Sequence, residues 1–203
     1  DAKNWDLYTI SGNHTIKSLS RVGVVPSSWD NLFNELYGFF HCIDYKRIHI
    51  KNLYFFGIPY IDHNIGLGEY LKNLKLVTND RSKSVLLLHS DYPGAKDTDN
   101  SEIGSAENIS QNMLERFDLT LMGHIHKPQR LSKKVYMIGA PYQQRRTDKA
   151  CSMGYWELYS DLSMKFVPIS QDFPQFIDVA SKEEVKDDGN YYNHVYGGGY
   201  HMF

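Results

Sequence analysis

Five residues at three places in the chain have the types and spacing to bind metal ions and work beside them. Asn13 and His14 follow Gly12 directly after the short apolar run LYTIS, His89 ends the run SVLLLH, and His124 and His126 stand two apart in GHIH after LTLM. Imidazole changes charge near neutrality and is the commonest metal ligand, and an Asn amide adds a neutral oxygen donor. In extended backbone, residues i and i+2 point the same way, about 6.5–7 Å apart. His124 and His126 can therefore bind one metal or reach two neighbouring ones. Glycine before each pair lets the backbone turn tightly next to an ion. Each piece alone has a plain alternative: a strand-terminal His is usually structural, GNH suits a turn, and an isolated HxH is weak. Their joint occurrence, each where an apolar run stops, gives the pattern its weight.

The runs that must position these residues read as strands alternating with amphipathic stretches. Residues 7–11 form a short strand candidate ending at Gly12. Residues 29–40 carry Trp29, Leu32, Phe33, Leu36, Phe39 and Phe40 at helical spacing, with Asp30, Asn31, Asn34 and Glu35 opposite, which predicts a helix. Residues 47–50 and 53–60 read as paired strands turning at Lys51 and Asn52. A weaker helix is expected over 66–76 and another over 107–117. The run 84–89 has the continuous β-rich character of a strand buried on both faces, and 119–123 follows as a further strand. Segments 134–139, 154–159 and 164–169 are spaced like a meander, with Ser160 and Asp161 as the last turn. Strands and helices interleave first and strands dominate later, so the class is α/β with mixed sheets. In such sheets ligands bind at the carboxyl ends of strands, where all three polar sites fall.

Composition restricts the context. The 203 residues are 41% apolar and 23% charged, with 15 Gly and a net charge of −2, which is globular and neither disordered nor fibrous. No apolar run approaches the ~18 residues of a membrane-spanning helix. Bulk charge gives no non-specific pull toward nucleic acid, although metal ions can supply positive charge at a scissile phosphate. Cys42 and Cys151 lie far apart, form no CxxC and read as free thiols in a reducing compartment. No signal-type leader opens the sequence, so the expected location is cytoplasmic, with no membrane partner. Lys127, Arg130, Lys133 and Lys134 suit either a phosphate path or a solvated hairpin face; Arg145 and Arg146, with Lys149 nearby, lean toward a DNA-binding side. The 15 Tyr, 10 Phe and 3 Trp are read as core. Asp91, Tyr92, Pro93 and Gly94 signal a turn, and the polar loop after it could face a substrate or partner.

The order GNH, strand-terminal His, then GHIH resembles the calcineurin-like metallophosphoesterase superfamily. The stretch IGAPYQQRR after GHIH is similar to the corresponding segment of its DNA nuclease branch, which includes SbcD-type subunits and phage recombination exonuclease subunits. The resemblance runs from about Tyr8 to Ile169. It implies a four-layer α/β/β/α sandwich of two mixed sheets. It also implies that Asn13, His89 and His124 ligate one divalent metal, that His126 ligates a second, and that His14 stabilises the transition state or protonates the leaving oxygen. Two Mn²⁺ or similar ions, DNA as substrate, an SbcC-type coiled-coil ATPase as partner and a nuclease homodimer come with it. Two departures are visible. Thr15 stands where the family usually has an acidic residue, and the family's D-x-H and GD strands have no counterpart in these residues. The expectation is therefore a nuclease domain over 1–180 lacking two βαβ-sized units at its N-terminus. Residues 181–203 form a charged, then Tyr/Gly-rich tail that is flexible or begins a capping domain. A phosphatase or cyclic-nucleotide phosphodiesterase on the same fold, or a non-catalytic scaffold subunit, is the alternative.

Overall fold

The computed structural model describes residues 6–13, 40–61, 66–76, 81–103, 109–169, 173–196 and 199–202. Five short strands and a helix come first: β1 (Leu7–Thr9), β2 (Phe40–Cys42), β3 (Arg47–Ile50), β4 (Leu53–Ile58), α1 (Leu67–Asn73) and β5 (Lys83–His89). Then follow α2 (Gln111–Leu114), β6 (Leu119–Gly123), β7 (Gln129–Arg130), β8 (Val135–Met137), β9 (Gly154–Leu158) and β10 (Met164–Pro168). The last strands are β11 (Phe176–Val179), β12 (Tyr191–Tyr196) and β13 (Gly199–Met202).

The main body is a six-stranded mixed sheet in the order β3-β4-β5-β6-β8-β7, with β4, β5, β6 and β8 parallel and the two edge strands antiparallel. Its centre is β5, buried on both faces as its sequence predicts. Leu86 and Leu88 face α1 and α2 and pack with Phe56, Leu71, Leu114, Phe117, Met122 and Met137. Val85 faces the other way, with Leu53, Leu119 and Tyr136, beneath the β9–β10 hairpin. Trp156 of that hairpin packs edge-on to Tyr136 at 5.2 Å and donates its indole N–H to the Ile138 carbonyl. Burying one aliphatic core side chain contributes roughly 1.5–3 kcal/mol, so the two faces of β5 together fix its place in the sheet.

Side chains close the ends of these elements. The Arg116 guanidinium donates to the carbonyls of Leu71, Lys72 and Leu74, satisfying the C-terminal end of α1. At the amino ends of β5 and β6, Asp118 accepts from the Ser84 N–H and hydroxyl, and the Asp118 N–H donates back to Ser84.

Several expectations change. The helix expected over 29–40 lies outside the described residues except for Phe40, which opens β2. Of the helix expected over 107–117, residues 107 and 108 lie outside the described residues, and from Ile109 onward only Gln111–Leu114 is helical. It stops because Thr120 donates its hydroxyl to the Leu114 carbonyl while Asp118 is drawn to Ser84. Segments 134–139, 154–159 and 164–169 do not form one meander. β8 joins the six-stranded sheet through β6, and only β9 and β10 pair with each other. The reason is hydrophobic: Val135 and Met137 are needed in the core beside Met122. The architecture is mixed α/β with few helices, and among the described residues it has three layers: helices, six-stranded sheet and hairpin. A separate three-stranded sheet has the order β11-β12-β13. No helix among the described residues is long and apolar enough to cross a membrane, and Cys42 and Cys151 are unbridged.

Candidate metal centre

Register brings the polar strand ends together. β5 and β6 run in step, so His89 lies opposite Gly123 and His124 follows immediately. The N-terminal strand reaches the same edge from the side. β1 pairs with β2, the Ile43 N–H donates to the Thr9 carbonyl, and Tyr60, just beyond β4, donates to the Ser11 carbonyl at 2.8 Å. Asp44 accepts from the Ser11 N–H at 2.8 Å. Gly12 and Asn13 are thereby laid against His89. A Cβ on Gly12 would sit 2.8 Å from Cε1 of His89, so only glycine permits this approach without displacing the ring.

Three donor atoms converge. The His89 Nε2 lies 3.2 Å from Asn13 Oδ1 and 3.3 Å from His124 Nδ1. Donors sharing one ion at ~2.1 Å with tetrahedral or octahedral angles are separated by about 3.0–3.4 Å. The chemistry of the set agrees. His124 Nε2 is 3.0 Å from Asp91 Oδ1, where the carboxylate accepts from an Nε2–H and so leaves the lone pair on Nδ1. Asn13 Oδ1 is likewise an acceptor. Lone pairs so disposed suit a cation, and a proton on His89 Nε2 suits them when no cation is bound. Among the described residues no three His, Cys, Asp or Glu side chains form such a set; the third donor here is the Asn13 amide. His124 takes φ +115, a conformation that costs of order 1–3 kcal/mol for a non-glycine residue and persists where the surroundings enforce it. Tyr60 closes one side, its ring 6.2 Å from His89 and 6.3 Å from His124 between centroids.

His126 is held separately. Its Nδ1 is 2.9 Å from Oδ2 of Asp148, whose side chain is fully buried. The same oxygen accepts the N–H groups of Gln144 and Arg145, and Oδ1 accepts Nε of Arg145. Burial works to raise the Asp148 pKa, but the Gln144 amide, His126 and Arg145 together outweigh it and hold the carboxyl below its usual range. The Ala140 N–H donates to the His126 carbonyl at 2.8 Å, and Gly139, at φ +77, leaves no room for a side chain against Pro128.

Of the sequence-derived candidates, Asn13, His89 and His124 meet at one point and His126 is paired separately with Asp148. His14 lies outside the described residues. Arg145 is engaged with Asp148 and Asp97. Arg146 and Lys149 both pair with Asp178. In the earlier basic group, Lys127 donates to Asn100, Arg130 bonds the Ser132 carbonyl and covers Tyr136, and Lys134 donates to the carbonyls of Glu115 and Phe117. Asp91, Asp148 and Tyr60 have places at the centre that sequence reading did not give them. The one available signal was the Asp91 position, two residues beyond His89.

No protein-family profile matches the chain. The chain is similar to a protein of Invertebrate iridescent virus 6 that bears the provisional name phosphoesterase 244L. The two are 28% identical over 140 residues, covering 67% of this chain and 45% of the relative. The chain thus spans less than half the length of that curated relative. The similarity points to phosphoesterase chemistry in general.

Proposed function

We propose that the chain carries part of a metal-dependent phosphodiesterase that acts on DNA, as the nuclease subunit of a recombination or repair complex. The observation that carries this reading is the meeting of Asn13 Oδ1, His89 Nε2 and His124 Nδ1 at the carboxyl edge of the sheet, with His126 two residues beyond His124 and held by Asp148. Similarity to a protein named as a phosphoesterase supports the hydrolase class, and the IGAPYQQRR segment supports the nuclease branch.

In this reading Asn13, His89 and His124 would hold one divalent cation, their mixed nitrogen and oxygen donors suiting Mn, Fe or Zn and the family resemblance favouring Mn²⁺, and His126 would belong to the site of a second. Divalent ions so held supply a nucleophile at neutral pH and stabilise negative charge on phosphate oxygens. Asp91 and Asp148 orient the rings of His124 and His126, and Tyr60 walls one side against water. His14, next to Asn13, donates a proton to the leaving oxygen. Arg145 and Arg146 flank the path of the phosphate backbone, and an SbcC-type ATPase and a second nuclease subunit are the proposed partners.

The test is hydrolysis by the full chain with Mn²⁺, comparing plasmid and single-stranded DNA with bis(p-nitrophenyl) phosphate. DNA cleavage is expected. Turnover of the small diester without DNA cleavage would favour the phosphatase or cyclic-nucleotide phosphodiesterase reading. Fewer than two metals per chain, with function intact in His124→Ala, would favour a scaffold. His14→Ala should abolish turnover while metal content stays unchanged; metal loss in that variant would overturn its role as a proton donor.

A further inference from the structure

His126 is held by a side chain that comes from far along the chain, and the reason lies in which nitrogen it leaves open. Asp148 is fully buried, and its two oxygens face only nitrogen donors: His126 Nδ1, the Gln144 and Arg145 N–H groups and the Arg145 guanidinium. No oxygen so placed can offer a proton, so the proton on the shared line must sit on Nδ1 of His126. Nε2 is then left with its lone pair, on the side of the ring away from Asp148. Arg145 in turn is tied by its second guanidinium nitrogen to Asp97, in the loop that follows β5. His124 is treated the opposite way: Asp91, from the start of that same loop, engages its Nε2 and leaves Nδ1 open.

We propose that Asp148, clamped by Arg145, is a positioning residue that fixes His126 in the Nδ1–H tautomer and presents its Nε2 as the ligand atom for a divalent cation. This rests on the metal-site reading proposed above. It gives Arg145 work inside the site: its guanidinium turns the Asp148 carboxylate to the ring and links that carboxylate to the loop carrying Asp91. Metal-bound histidines commonly donate their other N–H to a carboxylate, and such outer partners control affinity by roughly 10–100-fold.

The experiment uses the full chain, metal-free and then titrated with Mn²⁺, as wild type, Asp148→Ala and Asp148→Asn. The His126 tautomer is read from imidazole ¹⁵N shifts, assigned by the signal lost in His126→Gln. Mn²⁺ uptake is read by calorimetry. Wild type should show Nδ1–H at His126. Asp148→Ala should lose that preference and bind Mn²⁺ at the His126 site roughly tenfold or more weakly, with the Asn13–His89–His124 site unchanged. Asp148→Asn, which keeps an acceptor oxygen and the side-chain shape, should retain the tautomer. Should the alanine variant fail to fold, Asp148→Leu, which fills the same space without an acceptor, should lose the Nδ1–H preference, and retention of it there would overturn the assignment. An Nε2–H form in wild type, or the same tautomer and Mn²⁺ affinity in wild type and Asp148→Ala, overturns the assignment. Failure of the underlying metal-site reading looks different: wild type then takes up no Mn²⁺ at all while its His126 spectrum still reports Nδ1–H.

Discussion

The two histidines of GHIH are two residues apart, yet the molecule positions them by unlike means. His124 belongs to a group set by strands: β5 and β6 in register, with β1 laid beside them through Ser11 and Tyr60. His126 depends on a loop, where Gly139 gives space, the Ala140 N–H donates to its carbonyl and Asp148 accepts from its ring N–H. Strand ends are rigid because their neighbours are bonded along their length. A loop reaches comparable rigidity only by burying a polar group and satisfying it completely, as Asp148 is. A divided construction of this kind should fail in parts that can be separated.

The largest effect is expected for His124→Ala. It removes a donor outright, so Mn²⁺ affinity at the strand-built site should fall well beyond the ~10–100-fold that an outer partner controls, with His126 still paired to Asp148 by NMR. Equal loss at both sites in calorimetry would show that the halves are not separable. Gly139→Ala comes next. An alanine there must adopt φ +77, and its Cβ would lie 2.6 Å from Pro128 Cγ and 2.8 Å from the His126 carbonyl oxygen. We expect it to destabilise the chain by about 2–3 kcal/mol in denaturant unfolding and to disturb the His126 site while sparing the other. Gly12→Ala is the counterpart on the strand side. Its Cβ meets the His89 ring, so metal binding at the Asn13–His89–His124 site should weaken about tenfold, as for other distortions of ligand orientation, with the His126 tautomer unaltered. The smallest effect belongs to Arg146→Ala, whose ion pair with the partly exposed Asp178 contributes under about 1 kcal/mol to stability. If Arg146 also lies on the DNA path, the salt dependence of DNA binding should become shallower in that variant; an unchanged salt slope would confine it to pairing with Asp178.

The same division decides what sequence could tell. Strand-built features were legible because apolar runs mark strands and the residue after each run marks a strand end, so Asn13, His14, His89, His124 and His126 stood out there, and the family resemblance singled out Asn13, His89 and His124 as one set. That β5 would be buried on both faces was legible from SVLLLH for the same reason. Asp148 left no such trace. It sits in a 3-10 turn, Arg146–Ala150, 22 residues beyond its partner, and nothing periodic announces a loop carboxylate turned inward. Its neighbours Arg145, Arg146 and Lys149 read as cations that could meet DNA, and in the fold each also pairs with an aspartate, Arg145 with Asp97 and the other two with Asp178. The meander expected after residue 134 misled because spacing alone says how long strands are and not which sheet they enter. The burial of Val135 and Met137 beside Met122 settled that at the level of packing.

The reciprocal bonds between Ser84 and Asp118 set the starting line of a measured pair. From Ser84 to His89 and from Asp118 to Gly123 the chain counts the same number of residues, so two segments that set off level arrive level. The pin lies at the far end of the sheet from the histidines, yet it determines which residue stands beside His89. Adding or removing one residue in either strand would shift the arrival by about 3.3 Å and turn the terminal side chain to the opposite face. Matched compensating changes in both strands would leave the alignment intact. Substitutions of β5 and β6 should therefore be tolerated freely in kind, within the limits of the core, and hardly at all in length.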